Sequence, residues 1–190
     1  MIVVVRHGRT LANASGLLLG RADPPLDATG RDQAAAVARA LPGVARVIAS
    51  PLRRAQETAA AFGLSVETDE RWIELDYGDW DERPLADVPA ADWARWRDDP
   101  TFRPPGGETL VELGERVRVA CDALMEAAAH DDIAAVSPVS PVKAAVAWAL
   151  GVGDDVSWRL FVAPASITRI AIRDGRAVMS SFNDVAHLSS

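Results

Sequence analysis

Two stretches of the chain break from an apolar run straight into residues that can do chemistry. The first, VVVRHGRT at residues 3–10, exits through Arg6, His7 and Arg9. The second, AAVSPVSPVK at residues 134–143, exits through Ser137 and Pro138 and runs on to Ser140 and Lys143. Each reads as a buried strand leaving a sheet. A third stretch, SPLRRAQETA at residues 50–59, follows another apolar run and carries Arg53 and Arg54 in the first turn of an expected helix. Two or three guanidiniums beside a helix N-terminus suit a phosphate. Arginine binds it bidentately, and the free N–H groups and dipole of the helix attract it. Neighbouring positive charge holds a histidine neutral, so its imidazole can attack a phosphoryl group at pH 7. Taken singly, Arg6 and Arg9 read equally well as surface charges and His7 as a hydrogen-bonded strand-end histidine.

The surrounding pattern says how such groups would be positioned. Ile2–Val5 reads as a strand, followed by a polar loop through Pro25. Residues 27–41 read as an Ala-rich helix ending at Pro42-Gly43, and Val44–Ala49 as a second strand. Ser50 is expected to cap the next helix, with Pro51 in its first position and Gly63 at its end. Another strand is expected within residues 66–75, then an irregular segment over 76–107 carrying Tyr77, Trp80, Trp93 and Trp96. A helix over 108–129 precedes the strand Ile133–Val136, and Ser140-Pro141 is expected to open a helix to Leu150. Residues 167–172 and 176–181 read as a hairpin around Asp174-Gly175. Alternating strands and helices predict an α/β sheet covered on both faces. In such folds ligands gather outside the carboxyl ends of the strands. His7, Ser50 and Pro138 all stand at such ends.

Bulk properties narrow the classes. At 190 residues with 49% apolar content the chain can bury a substantial core as one domain. A net charge of −7 argues against a nucleic-acid partner. No apolar stretch reaches membrane-span length, and only four apolar strand residues precede Arg6, so neither a membrane segment nor a secretory signal is expected. The single cysteine, Cys121, sits at helical spacing as a core thiol, permits no internal disulfide, and suits the cytoplasm.

VRHGRT followed by SPLRRAQETA resembles the histidine phosphatase superfamily, in the branch related to cofactor-dependent phosphoglycerate mutases. The resemblance runs nearly end to end. It includes RHGRTLAN at 6–13, GRADPPLDATGRDQA at 20–34, SPLRRAQETA at 50–59, ELDYGDW at 74–80 and PGGET at 105–109. SFNDVAHL at 181–188 looks like the closing hairpin of small members. The resemblance implies a single domain over 1–190, a three-layer α/β/α sandwich with a mostly parallel sheet and a C-terminal hairpin. His7 matches the nucleophile that becomes phosphohistidine, and Arg6 and Arg54 match the phosphate-binding arginines. Asn13 matches a polar pocket residue, and Glu74 the general acid that protonates the leaving alkoxide and later activates water. No cofactor and no metal are implied.

The pattern breaks at one position. Where the family carries a second histidine after the fourth strand, this sequence has Pro138, and neither His130 nor His187 fits the missing role. Ser137, Ser140, a water or the N-terminus of the helix opened by Pro141 could stand in; Lys143, one turn into that helix, is expected to point elsewhere. Two readings follow. One is a phosphomonoesterase acting on a phosphorylated small molecule through His7. The other is a catalytically degenerate pseudophosphatase that binds a phosphate ester or a partner protein. A mutase is less favoured because 76–107 is short. The tryptophans of that segment either cover an organic leaving group or pack against the domain. The chain is expected to be a monomer or homodimer.

Overall fold

Ile2, Val3, Val4 and Val5 are buried in succession, which requires a strand covered on both faces. That strand, β1 (Ile2–Arg6), lies inside a six-stranded sheet. The computed structural model describes residues 1–189. The other strands are β2 (Val44–Ala49), β3 (Val66–Thr68), β4 (Asp132–Ser137), β5 (Ile167–Arg173) and β6 (Arg176–Asp184), in the order β3-β2-β4-β1-β5-β6. The sheet is mixed: β3, β2, β4 and β1 pair in parallel, and β5 and β6 add antiparallel pairs.

Strand alternation divides the core into two layers. Val3, Val5, Val47, Ala49, Ala134 and Val136 face α2 (Ala28–Ala40) and α3 (Arg53–Ala60), where Val37, Ala55 and Ala59 meet them. Ile2, Val4, Ile48, Ile133 and Ala135 face α5 (Leu110–Ala128) and α6 (Val139–Leu150) on the opposite side. This is the expected α/β/α arrangement. Each fully buried Val, Ile or Leu contributes about 1.5–3 kcal/mol relative to exposure, so the alternation fixes strand register strongly. Cys121 is buried on α5, and burial pushes its thiol pKa up.

Several boundaries move from their sequence-based positions. The polar loop after β1 contains a short helix, α1 (Leu11–Ala14), closed by a Thr10–Asn13 capping box. Helix α3 starts at Arg53, two residues after Pro51, because its first N–H is accepted by Asp23 Oδ1 at 2.6 Å. Ser50 Oγ makes only a long 3.4 Å contact with the Leu52 N–H. Helix α6 starts at Val139, with Pro138 as its N-cap, so Ser140 lies inside the first turn. Residues 76–107 are less irregular than expected: they hold two short 3-10 turns and α4 (Ala90–Asp98). Trp96 on α4 is 1% exposed and stacks on Trp93 at 5.5 Å, while Trp80 lies 5.7 Å from Trp96. Packing against the domain accounts for Trp80 and Trp96.

Candidate active site

The carboxyl ends of β1, β4 and β2 are neighbours, and backbone hydrogen bonds carry the alignment past the last strand residues. The His7 N–H donates to the Ser137 carbonyl at 3.0 Å, and the His7 carbonyl accepts from the Ala165 N–H at 3.0 Å. On the other side of β4 the Ser50 N–H donates to the Val136 carbonyl at 2.9 Å. His7 is thus fixed from both sides. Gly8 then turns the chain under α2, where a Cβ would stand 2.3 Å from the Gly30 carbonyl oxygen, so no larger residue fits.

The imidazole of His7 is 2% exposed, and its Nδ1 lies 2.6 Å from the Gly8 carbonyl oxygen. That contact requires Nδ1 to carry the proton, which leaves the Nε2 lone pair available. Burial, then the charges of Arg54 and Arg6, hold the imidazole pKa well below the usual histidine value. His7 is therefore neutral at pH 7, with one nitrogen anchored and the other nucleophilic.

The two arginines approach from different directions. Arg6 donates through one terminal nitrogen to the Val162 carbonyl at 2.6 Å. Arg54 is fully buried and donates to the carbonyls of Gly20 and Ala22, both at 2.7 Å. Asp81 holds that loop in place by accepting from the Gly20 and Ala22 N–H groups at 2.7 and 2.8 Å. Neither guanidinium forms an ion pair among the described residues, and the Nε of each is buried without a hydrogen-bond partner. Glu74 acts on both through its charge, and Asp23 and Asp81 on Arg54, but none is in direct contact, so an anionic ligand would supply the missing partner.

Arg6, His7, Asn13 and Glu74 line one cleft of about 190 Å³, and the charge of Arg54 also acts on His7. Asn13 Oδ1 also accepts from the Thr10 N–H and hydroxyl, so its carbonyl end is committed to the capping box. Arg9 departs from its expected place. It leaves the cleft to bind Asp27 at 2.7 Å and Thr29 at 2.9 Å, because the turn at Gly8 carries it over the start of α2. Arg53 is exposed and pairs with Glu57 along α3.

Glu74 is 1% exposed and accepts three backbone N–H groups: Leu75 and Ser140 on Oε1 at 2.8 and 3.1 Å, and Val139 on Oε2 at 3.1 Å. The last two belong to the first turn of α6. Proline has no side-chain acceptor for them, and the dipole of the helix favours a carboxylate there. Ser137 Oγ is buried and donates to the Trp72 carbonyl at 3.1 Å, so its hydroxyl hydrogen points away from the cleft. Lys143 is not among the residues lining the His7 cleft, as expected. It lines an apolar chamber that shares Leu18, Tyr77, Leu85 and Val139 with the His7 cleft.

Sequence reasoning missed Thr58. Its hydroxyl donates to the Arg54 carbonyl at 2.8 Å and accepts the Gly8 N–H at 3.0 Å, which joins α3 to the turn after His7. Its one available signal was its place inside SPLRRAQETA. His187 has a structural role at the tail, with Nε2 3.0 Å from the carbonyl of Ala165, the residue that pins His7. Among the described residues no group of three or more His, Cys, Asp or Glu is placed to hold a metal ion. No helix among them is long and apolar enough to cross a membrane.

A buried neutral imidazole and two guanidiniums at the carboxyl end of an α/β/α sheet make an anion-binding site with a nucleophile. Residues 2–185 match the histidine phosphatase superfamily (branch 1), and the chain belongs to that family. It is 33% identical over 202 residues to "Probable phosphoglycerate mutase GpmB" of Yersinia enterocolitica, covering 98% of this chain and 94% of that protein. It is 31% identical over 198 residues to "Bifunctional protein Rv2228c" of Mycobacterium tuberculosis. There it covers 98% of this chain but 54% of the other, so it spans about half the length of that relative. Among solved structures it is similar to a mycobacterial glucosyl-3-phosphoglycerate phosphatase in complex with VO3. That match has a TM-score of 0.87 at 30% identity and covers 97% of this chain and 98% of that one.

Proposed function

We propose that the chain is a phosphomonoesterase that hydrolyses a small-molecule phosphate ester through a phosphohistidine at His7. Family membership supports phosphate-ester hydrolysis in general. One observation carries the finer reading: a neutral imidazole, anchored through Nδ1, beside two guanidiniums, one buried and one half-buried, that form no ion pair among the described residues. Arg6 and Arg54 hold the ester dianion with their guanidiniums. His7 Nε2 attacks phosphorus as the bond to the leaving oxygen breaks, and Glu74 gives that oxygen its proton. Water then attacks the phosphohistidine, Glu74 takes the proton back, and phosphate leaves with Nε2 restored. Asn13 orients the ester from the rim. One domain over 1–190 carries the whole site, with 76–107 as its cover, in a monomer or homodimer.

Pro138 supports a second reading, a degenerate member that binds without useful turnover. It stands where the family's second histidine belongs and offers neither a side-chain donor nor an N–H. Two substitutes expected from the sequence are engaged, Ser137 with Trp72 and the first α6 N–H groups with Glu74, while the Ser140 hydroxyl makes only a long 3.4 Å contact with the Tyr77 hydroxyl. A missing donor to the developing anion costs on the order of 10²–10³ in rate. Phosphate release from a panel of phosphomonoesters by wild type, His7→Ala and Pro138→His decides between the two. Turnover that His7→Ala abolishes supports hydrolysis without the second histidine. Activity that emerges only in Pro138→His supports the binding reading.

A further inference from the structure

Lys143 is the only lysine in the sequence; every other fixed cation except the N-terminus is an arginine. It lies in the second turn of α6, half-buried, and its side chain faces a chamber of about 190 Å³. Trp93, Trp96, Trp158, Leu75 and Leu110 form much of the wall, and three hydroxyls (Tyr77, Ser140 and Ser157) are the other polar groups there. Lys143 makes no hydrogen bond or ion pair among the described residues. The charged groups it senses are Glu74, whose oxygens already accept three N–H groups, and Arg6, which repels it. An ammonium in an apolar chamber without a counter-ion is costly to keep, and a ligand carboxylate would relieve that cost through a charge-assisted hydrogen bond.

The chamber adjoins the His7 cleft, so a phosphate ester bound at His7 would extend its leaving group into it. An apolar cavity of about 150 Å³ accommodates benzene. At about 190 Å³ this chamber has room for one ring with a small substituent. A compact ammonium suits a single anion met end-on, where the planar arginine fork would need more width.

We propose that Lys143 is a specificity-determining residue that reads a carboxylate on a single-ring, apolar leaving group, making the preferred ligand a small carboxylated aryl phosphate. This rests on the hydrolytic reading for turnover but not for binding. The test therefore has two arms, each run with wild type, Lys143→Gln and Lys143→Arg. In the first, calorimetric titration compares benzoate with benzyl alcohol, which is similar in size and uncharged. Wild type should bind benzoate about tenfold or more tighter. Lys143→Gln should lose the preference, and Lys143→Arg should keep part of it. In the second, kcat/KM for 4-carboxyphenyl phosphate is divided by that for phenyl phosphate, and the ratio should follow the same order. Equal binding of benzoate and benzyl alcohol by wild type, or a preference that survives Lys143→Gln, overturns the proposal. A benzoate preference that needs Lys143, with neither ester hydrolysed, supports the proposal and sinks the hydrolytic reading instead. Hydrolysis of both esters at a ratio indifferent to Lys143 does the reverse.

Discussion

The ends of β1 and β4 start from the same geometry and deliver different things. They are adjacent parallel strands, Arg6 is in register with Ser137, and the next residue of each, His7 and Pro138, begins the exit from the sheet. At β1 the exit presents a side chain. Flanking backbone hydrogen bonds fix His7, Gly8 anchors one ring nitrogen, and burial together with nearby positive charge keeps the ring neutral. At β4 the exit presents backbone. Proline leads directly into α6, and the N–H groups of that helix are covered by Glu74 from another segment of the chain. A strand end can therefore supply chemistry through its own residue or by seating a residue from elsewhere. On the proposed mechanism the second route couples catalysis to helix stability, because the same carboxylate would serve both.

That coupling gives the comparison its largest test. On the proposed mechanism Glu74→Gln removes the group that exchanges protons and should lower kcat on the order of 10²–10⁴. It also places an NH2 against N–H donors, so chemical denaturation should show a loss of about 0.5–2 kcal/mol, the usual cost of a lost cap. A kcat loss with unchanged stability would break the dual role. Next in size, Pro138→His introduces a donor at the β4 end and, on the proposed mechanism, should raise kcat on the order of 10²–10³, read as phosphate release under saturating ester. An unchanged kcat would mean that the β4 end contributes nothing through its side chain.

Thr58→Val tests how the β1 end is held. It strips the partner from the Gly8 N–H while keeping the side-chain volume, and should cost about 1–3 kcal/mol by urea unfolding. No loss would show that backbone pairing alone positions His7. The smallest effect is in pH. The pKa of His7 is depressed in the folded chain, so below about pH 6.5 the unfolded chain takes up a proton that the native chain refuses. Stability should be level above that value and fall below it, toward the lowered native pKa, by at most about 1.4 kcal/mol per pH unit. His187, whose pKa is also lowered by burial, adds in the same direction. His7→Gln should flatten part of the decline between pH 7.5 and 5.5 in thermal melts. Identical declines would show that His7 is not the group responsible.

The sequence by itself determined whatever a few neighbouring residues could decide. The apolar runs set β1, β2 and β4. Asp27 caps α2 by accepting the Gly30 N–H, and Thr109 with Glu112 closes a capping box on α5, all within one helical turn. RHG and SPLRR placed His7 and Arg54 near one another because strand ends in an α/β sheet converge. Tertiary structure decided the starts of the two helices that border the site. The first N–H of α3 finds Asp23, and those of α6 find Glu74, acceptors 30 or more positions away along the chain that no local pattern reveals. It also sent Arg9 to Asp27 and turned Lys143 toward the aromatic chamber. Hydrogen bonds within a turn are written in residue spacing. The partner of a buried charge depends on which distant segments the packed layers bring together.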